Sequence, residues 1–73
     1  MAARYEITAE QKAELKAARR NNKNNRVENR LRALLLRAHG KLTKEISAMT
    51  GYSSSTVSVL VSKYVHGGIE AIT

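Results

Sequence analysis

One glycine and its flanks constrain this chain more than any other feature. The run "TKEISAMTGYSSSTVSVL", Thr43 to Leu60, sets Gly51 between two short segments whose apolar residues recur at helical spacing. Ile46 stands before the glycine, Val57 and Leu60 after it, and Ser47 is small enough to let two helices approach closely. Glycine accepts positive φ at little cost, which a tight turn between helices needs. The spacing therefore predicts a short helix, a tight turn near residues 50–53 and a second helix packed back on the first. An ordinary helical hairpin is the plainest structure that meets this description.

The rest of the chain reads as helix as well. "TAEQ" at Thr8 to Gln11 is a capping box, with Thr8 as cap and Gln11 reaching back. A helix from about Ala9 to Arg20 follows, expected to pack loosely because Leu15 is its only large apolar residue. "NNKNN", Asn21 to Asn25, stops it, and Asn25 is placed to cap the next helix with Glu28 three residues on. That second helix is predicted over about Arg26 to His39, with Val27, Leu31, Leu34, Leu35 and Ala38 on one face. Leu36 points away from this face and is expected to lie under the first helix. Gly40 ends the segment.

Thr43 is read as the cap of a third helix, about Lys44 to Thr50, and Ser53 as the cap of a fourth, about Ser54 to Val65. Gly67 is expected to close the fourth helix. At about 100° per residue, Val57, Leu60, Val61 and Tyr64 share its core face. Ser55, Ser58, Val59 and Ser62 fall on the opposite, exposed face. The fold class is all-α: a three-helix bundle plus one N-terminal helix over residues 8–73, preceded by a flexible arm, residues 1–7, whose notable side chains are Arg4 and Tyr5. Leu31, Leu34, Leu35, Ile46, Val57, Leu60 and Tyr64 are the expected core.

Composition narrows the chemistry. The 73 residues contain no Cys, so neither a disulfide nor a thiolate metal site is available. All six acids are Glu, which leaves no obvious seat for a carboxylate pair or triad. His39 and His66 each precede a glycine near an expected helix end, where a cation suits the helix dipole. No metal or cofactor is expected, and neither is catalysis. No apolar run reaches the length of a membrane span and no signal-peptide core opens the sequence, so a cytoplasmic protein is expected.

Net charge is the first functional clue. The formal charge is +7, and all of it lies in residues 1–41, where eleven Lys and Arg face four Glu. Basic chains are drawn to polyanions, above all nucleic acids. Combined with two helices around a glycine turn, this points to a helix-turn-helix whose fourth helix enters the DNA major groove. Ser55, Ser58, Val59 and Ser62 would then meet base edges, the serines through hydroxyls and Val59 through a thymine methyl. Arg19, Arg20, Lys23, Arg26, Arg30, Lys44 and Lys63, with Ser53 and Ser54 at the helix N-terminus, would meet phosphates and supply most of the affinity. The partner is double-stranded DNA. The isolated domain is expected to be monomeric, with any oligomer formed by a full-length parent.

The run "RALLLRAHGKLTKEISAMTGYSSSTVSVLVSKYVHGGIEAI", Arg32 to Ile72, resembles the N-terminal helix-turn-helix of mariner-like insertion-sequence transposases, which is homeodomain-like. The family's features map to Leu34 to Gly40, Lys44 to Ile46, Thr50 and Gly51, Ser53 to Val57, Tyr64, and Gly68 to Ile72. The preceding "ITAEQKAELKAARRN" is similar to the family's leading helix. The resemblance implies a domain that binds the terminal inverted repeats of an insertion sequence, beside a separate carboxylate-triad domain that cuts and joins DNA. No such catalytic domain follows in this sequence, which fits an excised domain or a stand-alone binder. The family often carries Arg or Lys where this chain has Ser54 and Val59, and an aromatic near Leu60. Sequence readout here would accordingly rest on serine hydroxyls and apolar contact.

Three other readings compete. A stand-alone transcriptional regulator would use the same surface. A protein-interaction or dimerisation module would use exposed Val59 and its serines, but does not require Arg19, Arg20, Lys23, Arg26 and Arg30 around the asparagine linker. RNA binding would need an exposed aromatic platform, whereas Tyr52 and Tyr64 fall on core-facing positions.

Overall fold

The computed structural model describes residues 7–72, and Arg4 and Tyr5 lie outside them. Of the expected arm only Ile7 is described, and it packs against the core. Four α-helices follow: α1 Ala9–Asn21, α2 Asn25–Ala38, α3 Thr43–Thr50 and α4 Ser54–Gly67. A short 3-10 helix, Ile69–Ala71, comes last. The all-α class expected from the pattern is the class observed, with no strand among the described residues.

Local chemistry explains each helix start, not always by the expected residue. The capping box of α1 forms as read: Gln11 N–H donates to Thr8 Oγ1 at 3.1 Å and Thr8 N–H to Gln11 Oε1 at 3.0 Å. For α2 the cap is Asn24 rather than Asn25, its Oδ1 accepting from the N–H groups of Arg26 and Val27. Asn22 sets this up by bonding Asn24 through both its Oδ1 and its Nδ2, a local turn that orients the capping side chain. Glu28 is left to pair with Arg19 on α1. For α3 the cap position is Leu42, not Thr43, and Glu45 Oε1 accepts the Leu42 N–H at 3.1 Å. The carboxylate thus satisfies the N–H of the cap residue, while Leu42 has no side-chain acceptor to offer the first-turn N–H groups.

Helix ends show the use of glycine where φ turns positive. Gly51 sits at φ 84 in the left-handed region and closes α3 as expected, and its N–H donates to Ser47 O. The Ser47 hydroxyl donates to Tyr52 O, so the small residue also ties the turn together. At the other end α4 runs past Val65 through Gly67, and Gly68, at φ 73, is the residue that ends it. Gly67 is needed for space instead. A Cβ placed there would meet Ala71 Cβ at 2.7 Å, so the 3-10 helix packs directly on the α4 backbone.

α2 packs against α1, α3 and α4 and forms the centre of the bundle. All seven expected core residues are buried, joined by Leu15, Ala33, Val61 and Ile72. α1 does not pack loosely, because Leu15 is fully buried and the Tyr64 hydroxyl of α4 donates both to Gln11 O at 3.2 Å and to Glu14 Oε1 at 2.7 Å. Burial of one leucine is worth about 1.5–3 kcal/mol, which offsets a weak apolar stripe. Leu36 is half-buried against the core.

Candidate nucleic-acid interface

The exposed side of α4 is built by exclusion. Val57, Leu60, Val61 and Tyr64 take the core side, so the residues between them must face outward. Ser55 and Ser58 are exposed, Val59 is half exposed at 50%, and Ser62 is half-buried. His66 continues the line one turn beyond Ser62, with its Nδ1 donating to Ser62 O at 2.8 Å. As its place before Gly67 suggested, His66 stands in the last turn of α4, and it is exposed on the same face. The clue was its spacing of four from Ser62 and seven from Val59.

The N-terminus of α4 has a settled cap. Ser53 Oγ accepts the Thr56 N–H at 3.1 Å, which commits that oxygen to the fold. Ser54 and Ser55 are exposed in the first turn, and α4 carries no acid there.

The cations do not form one cluster. A groove of roughly 830 Å³ lies between the first half of α2 and the exposed flank of α4. Arg26 and Arg30 line it from α2, Ser55, Val59 and Lys63 from α4, and Tyr52 from the turn. Arg19 and Arg20 lie elsewhere, beside Lys16, Glu28 and Leu35 on the α1–α2 side. Helical geometry separates these two sides, since Arg26 and Arg30 project from a different sector of α2 than Glu28 and Leu35. Lys23 and Lys44 are exposed but line neither concavity.

Two of the arginines expected to meet phosphates have structural partners. Arg19 Nε donates to Glu28 Oε1 in an exposed ion pair. Arg30 is half-buried, and its guanidinium donates to Ile72 O at 3.0 Å, fastening the C-terminal 3-10 helix to α2. Asn29 acts alongside it, donating from Nδ2 to Thr50 O at 3.2 Å and closing the end of α3. Thr56 also lines the groove, and sequence reasoning overlooked it. Its offsets of three from Val59 and seven from Lys63 place the three on one stripe.

The family model described as a homeodomain-like domain matches residues 24–73. The chain belongs to the homeodomain-like domain family. The match takes in α2, α3, α4 and the 3-10 helix of this homeodomain-like domain and begins at Asn24, the cap of α2. In the homeodomain-like frame α3, the Gly51 turn and α4 are the helix-turn-helix, and α1 is an addition in front of it. No curated protein and no solved structure gives a significant match.

Among the described residues no group of three or more His, Cys, Asp or Glu converges as a metal site would require. Among the described residues no helix is long and apolar enough to cross a membrane. Burial pushes the Tyr64 hydroxyl well above the ordinary phenol value, and the bond to Glu14 and that carboxylate's charge add to the shift.

Proposed function

We propose that this domain binds double-stranded DNA through α4 and serves as the part of a mariner-like transposase that recognises terminal inverted repeats. One observation carries the reading: in a homeodomain-like helix-turn-helix, the exposed face of the second motif helix has no acid and is flanked by Arg26 and Lys63. Ser55, Ser58, Val59 and Ser62 are the residues offered to base edges, and Ser54, Arg26 and Lys63 to phosphates. With neutral side chains on the reading face, the cationic surroundings supply most of the affinity. The domain has no catalytic part in this reading and acts as a monomer in isolation, in the bacterial cytoplasm where the DNA lies. Transposition itself belongs to a carboxylate-bearing partner domain.

The half-exposed Val59, Leu42 and Met49 favour a second reading, a protein-interaction module. An NMR titration separates the two. Random duplex and candidate inverted-repeat duplex are each added at two salt concentrations. Salt-dependent shifts along α4, larger for the inverted repeat, are the expected result. Equal shifts with both duplexes leave a DNA binder without inverted-repeat specificity, and no shift with either leaves the interaction module.

A further inference from the structure

The groove between α2 and α4 has the chemistry of a backbone track. Its walls carry opposed cations, Arg26 on α2 and Lys63 on α4, both exposed. Between them stand neutral donors, Asn25 on α2 and Ser55 and Thr56 in the first turn of α4. Its floor is apolar, formed by Tyr52, Leu60 and Ile72. No acidic residue lines it. Phosphate oxygens accept from Arg, Lys, Asn, Ser and Thr, and sugars present apolar faces, so a nucleic-acid strand matches walls and floor together.

We propose that one sugar-phosphate strand of the bound duplex lies in this groove, clamped between Arg26 and Lys63, with Asn25 and Thr56 as additional phosphate contacts. The assignment rests on the DNA reading above and deepens it. Continuity favours a strand over an acidic peptide: Ser55 and Val59 belong both to the groove wall and to the outward face of α4. A strand in the groove is then one whose own bases meet α4. Arg30 has a different part. Its bond to Ile72 O holds the floor in place, which makes it a positioning residue. Arg19 and Arg20, on the other side of α2, stay outside the track.

The test compares two double variants of equal charge change, Arg26→Ala with Lys63→Ala, and, at exposed residues outside the groove lining, Lys16→Ala with Lys41→Ala. Anisotropy of a labelled random duplex is followed over a potassium chloride series, and matched circular dichroism melts confirm folding. Each lost phosphate contact flattens the log–log salt slope by about 0.9, so the groove pair should flatten it by about 2 and the control pair by less than about 0.5. In the wild type, the Thr56 and Ala71 amides should shift on adding duplex. Equal flattening by both pairs, or none from the groove pair, overturns the track while leaving DNA binding standing. If the wild type binds no duplex, the DNA reading fails and the track with it. If those amides respond only to an acidic, leucine-containing peptide, the groove is a protein site and the proposal is overturned.

Discussion

The Tyr64 hydroxyl donates to Glu14 Oε1 at 2.7 Å, joining the helix that faces DNA in our reading to the helix that precedes the homeodomain-like match. The ring is buried among the core side chains while the oxygen reaches the edge of α1. One residue therefore couples α4 to α1 across the bundle.

Tyr64→Phe removes both hydroxyl bonds and keeps the ring. The expected loss is about 1–2 kcal/mol at neutral pH, read from urea denaturation. The phenol is held protonated more tightly in the folded state than in the unfolded one. Its stabilisation is thus complete below the ordinary phenol value of about 10 and declines as pH rises above it. The gap between wild type and Tyr64→Phe should narrow in that range. A gap that stays constant through it would show that the hydroxyl does not titrate differently on folding.

Leu34→Ala should cost about 2–5 kcal/mol, the usual range for truncating a fully buried leucine. Leu15→Ala should fall in the same range, because Leu15 is the single buried side chain of α1. Hydrogen exchange separates the two. Leu15→Ala should release α1 amides first, and Leu34→Ala should weaken all helices together.

Gly67→Ala brings a methyl to Ala71 Cβ and forces the 3-10 helix outward. Alanine gains up to about 1 kcal/mol in helix propensity, but overpacking costs about 1–3 kcal/mol. A net loss of stability is expected, with faster exchange of the Ile72 amide, which donates to Ile69 O. A more stable variant would show that the segment yields without strain.

Ser54→Glu separates folding from binding. A carboxylate in the first turn of α4 suits the helix dipole and should leave stability unchanged or raise it by about 0.3–1 kcal/mol. The same charge should repel a phosphate and weaken binding to every duplex alike. Unchanged affinity would put this end of α4 away from the DNA backbone.

Element number, the glycine turn and most of the core were legible in the sequence because they follow from short-range rules. Helical spacing selects Val57, Leu60, Val61 and Tyr64, and positive φ selects Gly51. Capping was legible only in part. Asn24 and Asn25 offer the same side chain, and the bonds from Asn22 decide between them.

What the sequence by itself determined, then, is an all-helical chain with a serine-rich exposed face on α4 and its charge gathered in the first 41 residues. Which cations share a surface was decided by tertiary structure alone. Arg19, Arg20, Arg26 and Arg30 are neighbours in sequence, yet packing of α1 and α4 on different sides of α2 sends the first two to one side and the last two to the groove. Arg30 goes further and bonds Ile72, 42 residues away. Gly67 likewise owes its place to the Ala71 methyl, which leaves no room for a Cβ. Periodicity reports the direction of a side chain from its own helix axis, whereas the partner it meets depends on how the helices are docked.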